Sequence, residues 1–330
     1  MYGVCNNKIK IKIILEFLFK FKDLESLLHE RNCLIMESLK SIKNRMKSIM
    51  STKQITESMR TVSTIKQQKL RVKMQNNRSF LNEAKHLMCL TAKELSGENH
   101  PYLIERDVKN SALVVIGGDR GLCGGYNAAV GKEVSQLVNS LDGKVNIITV
   151  GSKVRDYCNR RFEDKVKYSF TSMSENPFYE DAESIAFILL DWFNKKEIDQ
   201  VFAIYTCFES MLIQKTEAFK LFPFVGNQCL AKECATKINA NEDGTRKIMR
   251  YEQGEVKFFE DIIPFYITAF IYGAILESSL CEQSARVASM DSAVKNAEDM
   301  IDTLTNTYNQ ARQKAITQEI TEIISGAEVI

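Results

Sequence analysis

The sequence predicts an α/β protein in which a long antiparallel coiled coil of N- and C-terminal helices accompanies a Rossmann-like α/β domain. Three observations predict it. Residues 37–96 contain neither Gly nor Pro, so nothing there interrupts a helix. In the middle of the chain, short β-branched runs alternate with helical patterns, the signature of βαβ units around a parallel sheet. Beyond Pro264 the apolar positions step by three and four residues, the rhythm of a helix that packs against another helix.

Residues 1–35 form an apolar, lysine-bearing leader. It reads as an extension, with Met36 as a natural beginning, or as an amphipathic surface segment. A first coiled-coil helix is expected over 36–100. At 1.5 Å per residue it would reach about 90 Å. Leu39, Ile42, Met46 and Ile49 set its seam. A register shift is expected next, because Lys53 and Thr56 occupy seam positions while Ile55, Met59 and Val62 continue the apolar steps. Gly97 and Pro101 end the element.

The α/β domain is expected over 108–262. Its strands are read at 112–116, 145–150 and 201–206, and its helices near 129–141, 153–161 and 181–195. Residues 226–254 are polar and read as a loop. The closing coiled-coil helix is assigned to 264–330, with its main run over 267–325. Ile301, Leu304, Tyr308, Ala311 and Ala315 form its heptad seam. Charge supports pairing of the two ends: residues 37–75 carry ten basic and two acidic side chains, and residues 266–325 carry four basic and eight acidic. The positive surplus on the first helix is either a solvated face or a match for an acidic partner.

Composition excludes several function classes. The 330 residues include 44 basic and 42 acidic side chains, which gives no whole-chain case for nucleic-acid binding. Nine cysteines at irregular spacing, with no C-x-x-C, do not read as a disulfide framework or a structural zinc site. Three histidines make a His-rich metal centre improbable, so no metal or cofactor is expected. No transmembrane helix is expected, since Lys10, Lys12, Glu16 and Lys20 break the leader's apolar run. A mitochondrial presequence fits poorly, because the first 24 residues contain no Arg and no Ser.

Gly117-Gly118-Asp119-Arg120-Gly121-Leu122-Cys123-Gly124-Gly125-Tyr126-Asn127 follows a strand directly. Such a loop can cradle phosphate at a helix N-terminus, or it can serve as a tight turn with close helix–sheet packing. It matches neither G-x-x-x-x-G-K-[ST] nor G-x-G-x-x-G, and Asp119 stands where the latter needs glycine. The turn reading is preferred. No His or carboxylate pair joins Arg120 into a catalytic set, and Cys123 reads as a small buried thiol. Cys229 and Cys234 are either a redox pair or two unrelated thiols. The C-terminal tail is apolar at its end, with no basic residue after Lys314. It packs on its own first helix, on a partner surface, or on each along different lengths.

Three stretches together resemble the gamma subunit of F-type ATP synthases. Ile42-Lys43-Asn44-Arg45-Met46-Lys47-Ser48-Ile49, with Thr52-Lys53-Gln54-Ile55-Thr56-Glu57-Ser58-Met59, is similar to that family's opening helix. The block from Gly118 to Asn127 resembles its S-D-R-G-L-C-G-x-x-N motif, with Gly118 where Ser is usual. Leu276-Glu277-Ser278, Ala285-Arg286, Met290-Asp291 and the run Thr307-Tyr308-Asn309 through Ile323 resemble its closing helix. Val287 replaces a usual Met, and Ser63-Thr64-Ile65 replaces small residues. The resemblance covers about 36–330.

It implies a non-catalytic rotor shaft turning inside a 3:3 ring of alpha and beta subunits, with the epsilon subunit and the membrane c-ring at its foot. It also implies partner contacts at Met59, Arg312, Gln313, Ile316, Ile320 and Ile323. Met59 would face an acidic beta-subunit segment, Arg312 and Gln313 would bond a beta-subunit loop, and the tail 316–330, with Ile316, Ile320 and Ile323, would lie in an apolar bearing. The implied location is the cytoplasmic side of a bacterial cell membrane, or alternatively the matrix side of the mitochondrial inner membrane.

Overall fold

The computed structural model describes residues 4–95, 100–104, 106–211, 213–224 and 251–327; for residues 4–38 and 93 the description covers the backbone alone. Helix α1 spans Val4–Glu94. It is followed by β1 (Asn110–Ile116), α2 (Tyr126–Ser140), β2 (Lys144–Val150), α3 (Ser152–Phe162) and β3 (Val166–Phe170). Then come α4 (Tyr179–Asn194), β4 (Gln200–Phe208), β5 (Gln214–Phe222) and α5 (Glu255–Ala327). Residues 4–35 of the expected leader fall within the backbone of α1. Cys229 and Cys234 lie outside the described residues.

The sheet order is β3-β2-β1-β4-β5. The first four strands are parallel and β5 is an antiparallel edge. β1 is central because its side chains are apolar on both faces: Ala112, Val114 and Ile116 join one core, and Leu113 and Val115 the other. Helices α2 and α3 cover the second face with Val130, Val134, Val154 and Cys158. Helix α4 covers the first with Ala182, Ile185, Ala186, Leu189 and Phe193, where α5 also packs. Two strands escape an apolar-run criterion. β3 is an edge with three exposed residues, and β5 alternates Lys215, Glu217 and Phe219 outward.

Helix α5 begins before the expected boundary. Pro264 lies inside it, where it forgoes one i→i−4 bond without ending the helix. One 18-residue window of this helix is apolar enough, at mean hydropathy 1.4, to cross a membrane by length and composition. That corrects the expectation of no such helix. The window is 61% buried inside the protein, because Ile267, Phe270, Ile271, Ile275 and Leu276 fill the core. Its hydropathy is therefore accounted for by packing.

The chain divides into two compact units, Met1–Ser58 with Asp291–Ile330, and Met59–Met290. In the first, Leu39, Ile42, Met46, Ile49, Lys53 and Thr56 form the half-buried stripe of α1. Ile301, Leu304, Tyr308, Ala311 and Ala315 form that of α5, as the heptad reading expected. In the second unit, Ser63, Gln67, Leu70, Met74, Ala84 and Met88 are buried on α1, and with half-buried Asn77 and Leu81 they keep the same three-and-four spacing. The expected register shift does not occur. Ile55 and Val62 are 59% and 53% exposed, while polar residues hold the seam. They do so because they find partners: Lys53 Nζ lies 2.8 Å from Glu298, and Gln67 donates to Ser284 Oγ at 2.8 Å. Within the second unit Gln67, Asn77 and Arg78 meet Ser284, the Ala269 carbonyl and Glu277, so α1 and α5 run antiparallel there.

Candidate functional site

The glycine loop lies between β1 and α2, at the point where strand order reverses from β2 to β4. In doubly wound sheets this crevice receives ligands. Two glycines allow close packing around it. A Cβ on Gly151 would stand 2.4 Å from the Gly117 carbonyl oxygen, and one on Gly117 would collide with Val154 at 2.0 Å. Gly151 also has φ +112, a conformation that glycine alone adopts freely.

Asp119 ties the loop to the start of α3 and to the segment between β3 and α4. Its carboxylate accepts from the Ser152 amide and hydroxyl at the start of α3, both at 2.9 Å. It also accepts from the Ser172 amide at 3.0 Å, the Ser174 amide at 3.1 Å and the Ser174 hydroxyl at 2.7 Å. Burial pushes this carboxyl upward, but the hydrogen bonds from Ser174, Ser172 and Ser152 together outweigh it and hold the group below its ordinary 3.8. All five donors lie outside the glycine loop, on Ser152, Ser172 and Ser174.

Helix α5 fills the crevice beside it. Ser278 accepts from the Thr206 amide at 3.2 Å, and the Cys281 thiol lies 3.5 Å from the Thr206 carbonyl. Arg286 donates to Glu282 at 2.6 Å and to the Gly121 carbonyl at 3.2 Å, and both charged side chains are almost fully buried. A Cβ on Gly118 would stand 3.0 Å from the Glu282 carboxyl carbon, so the loop and α5 are in contact. Asn127 ties the loop to itself, accepting from the Gly118 amide and donating to the Arg120 carbonyl. Arg120 pairs with Glu175 at the surface. Burial pushes the Cys123 thiol up, which suits an inert buried thiol rather than a nucleophile. Among the described residues no group of three metal-ligating side chains comes together.

The remaining predicted residues sit as follows. Met59 is half-buried on α1. Arg312, Gln313, Ile316, Ile320 and Ile323 are all exposed on α5, the isoleucines by 43%, 51% and 66%. The spacing from Gln313 through Ile316 and Ile320 to Ile323 is three, four and three, which places these four on one face. Residues 328–330 of the predicted bearing lie outside the described residues. Sequence reasoning missed Asp119 as the loop's anchor and the Glu282–Arg286 pair. The second carried a signal: opposite charges four apart on one helix.

A family model described as ATP synthase matches residues 38–330. An ATP synthase gamma chain of Alkaliphilus metalliredigens is 38% identical over 294 residues, covering 88% of this chain and 98% of that one. The chain belongs to the ATP synthase gamma-chain family. Solved structures agree in fold with this family assignment. The central stalk/c-ring of Tetrahymena thermophila mitochondrial ATP synthase matches with TM-score 0.57 and 22% identity, over 72% of this chain and 99% of that one. The rotor of Euglena gracilis mitochondrial ATP synthase matches with TM-score 0.59 and 18% identity, over 84% and 99%. Residues 1–37 lie outside the gamma-chain family match.

Proposed function

We propose that this chain is the gamma subunit of an F1Fo ATP synthase, the central rotor that couples transmembrane ion flow to ATP synthesis at the beta subunits. The family match over 38–330 carries the reading. In this reading 36–100 and 264–330 are the two shaft helices, 108–262 is the α/β domain at the foot, and 1–35 is an extension. The partners are a 3:3 ring of alpha and beta subunits, the epsilon subunit and the c-ring. The chain sits on the cytoplasmic side of a bacterial cell membrane, held there by its partners.

The subunit itself does no chemistry. It biases the conformational equilibrium of each beta site in turn, so that ion-driven rotation releases ATP and hydrolysis drives the reverse. A helix bonded across the crevice beside the glycine loop supports this division of labour. The exposed, uncharged Ile316–Ile320–Ile323 face supports a bearing, because apolar contacts lack directional bonds that a turning shaft would have to break. Arg312 and Gln313, one turn before it, offer polar contacts to a beta-subunit loop. Met59 and its basic surroundings offer a match for an acidic beta-subunit segment.

The test is reconstitution of the full chain with the alpha and beta subunits of the same organism. An active hydrolase of 3:3:1 composition that forms only with this chain is the expected result. Binding of nucleotide by the chain alone, with no complex formed, would refute the proposal.

A further inference from the structure

The rotor reading gives no role to residues 4–35, and the family match begins only at residue 38. Their backbone continues α1 without a break, and they belong to the same compact unit as residues 291–330. Contacts between α1 and α5 set the register. Lys53 meets Glu298, fourteen residues along each helix from the contact of Gln67 with Ser284. At that register Leu39 stands level with Arg312, Ile35 with Ile316 and Leu28 with Ile323. The half-buried stripe of α5 does not end at Arg312. It runs on through Ala315, Gln318 and Glu322 at steps of three and four, while Ile320 on the opposite side is 51% exposed. Gln318 donates to Glu322 at 3.1 Å, so two polar groups of the stripe satisfy each other.

The leader's sequence keeps the seam of α1. Stepping on from Leu39 by four and three reaches Ile35, Asn32, Leu28, Glu25 and Phe21. Asn32 falls level with Gln318 and Glu319, polar opposite polar, as Gln67 is with Ser284. A lone helix is marginal in water, and packing of a face supplies what propensity does not. We propose that residues 21–35 are the helical partner of the tail within the same chain: they carry the antiparallel coiled coil past Arg312 and cover the Ala315–Gln318–Glu322 stripe. Ile320, on the far side, keeps the exposure that the bearing needs. The inference goes beyond the rotor reading and does not rest on it, because it concerns the chain by itself.

Amide hydrogen exchange of the full-length chain, read by mass spectrometry, tests this. Leu28→Asp with Ile35→Asp is expected to speed exchange over 315–325 about tenfold relative to wild type. Leu27→Asp with Leu34→Asp makes the same chemical change one residue off the seam and is expected to keep the wild-type rate. Slow exchange in β1 shows in each variant that the α/β domain is folded. Equal tail exchange in the two double variants overturns the inference. Tail protection that rises with protein concentration overturns it as well, because it marks a second copy as the cover. Neither result touches the rotor reading, which the reconstitution tests separately.

Discussion

Two side-chain sets determine how the glycine loop behaves, and each gives a prediction. Asp119 is held below its ordinary pKa, so its stabilisation is complete above the unfolded value and is lost as pH falls through the lower folded value. Wild-type stability in urea should therefore decline below about pH 4. Asp119→Asn should be less stable at neutral pH and should show a flatter acid limb; an unchanged limb would contradict the role given to this carboxylate. Arg286→Ala leaves the Glu282 carboxylate buried without its cation, at a cost of about 3–5 kcal/mol. Arg286→Met with Glu282→Leu should recover most of that in thermal melts. The loop's glycines were visible in the sequence, and so was the failure of both phosphate motifs. What fills the loop was not, because Ser172, Ser174 and the crevice-filling residues of α5 come from distant segments that only the fold brings together.

At the scale of elements, apolar periodicity located α2, α3, α4 and the three central strands. It failed where local chemistry departs from the usual pattern. β3 and β5 are edge strands with charged outward residues, so they lack a hydrophobic run. The polar seam of α1 looked like a shift of register, because Lys53 and Gln67 reach partners on α5 that no local pattern reveals. That difference separates the lysines of α1 into two kinds. Lys40, Lys43 and Lys47 are exposed, whereas Lys53 is half-buried and paired. Reversing the first three together should weaken coupling between hydrolysis and ion pumping while the melting temperature stays within a few degrees. Lys53→Glu places two like charges side by side and should lower the melting temperature of the chain. Equal effects of the two changes on pumping and on melting would contradict this division. On α5, Ile320→Glu should reduce the hydrolysis rate of the assembled complex several-fold without lowering the chain's own melting temperature, because Ile320 is exposed in the free chain.

For the whole molecule, the account is that a closed α/β module and two long helices act mechanically and leave the chemistry to other subunits. The order of the three motifs along the chain made the family legible, and the family match over 38–330 agrees with that membership. Turning is the property that separates a rotor from a scaffold of the same shape. The decisive measurement is direct observation of the full chain in an immobilised complex with its alpha and beta subunits, with a bead attached to the α/β module. ATP should drive rotation in one direction, with three pauses per turn set by the three beta subunits. A complex that hydrolyses ATP while the bead only fluctuates about one angle would contradict the account.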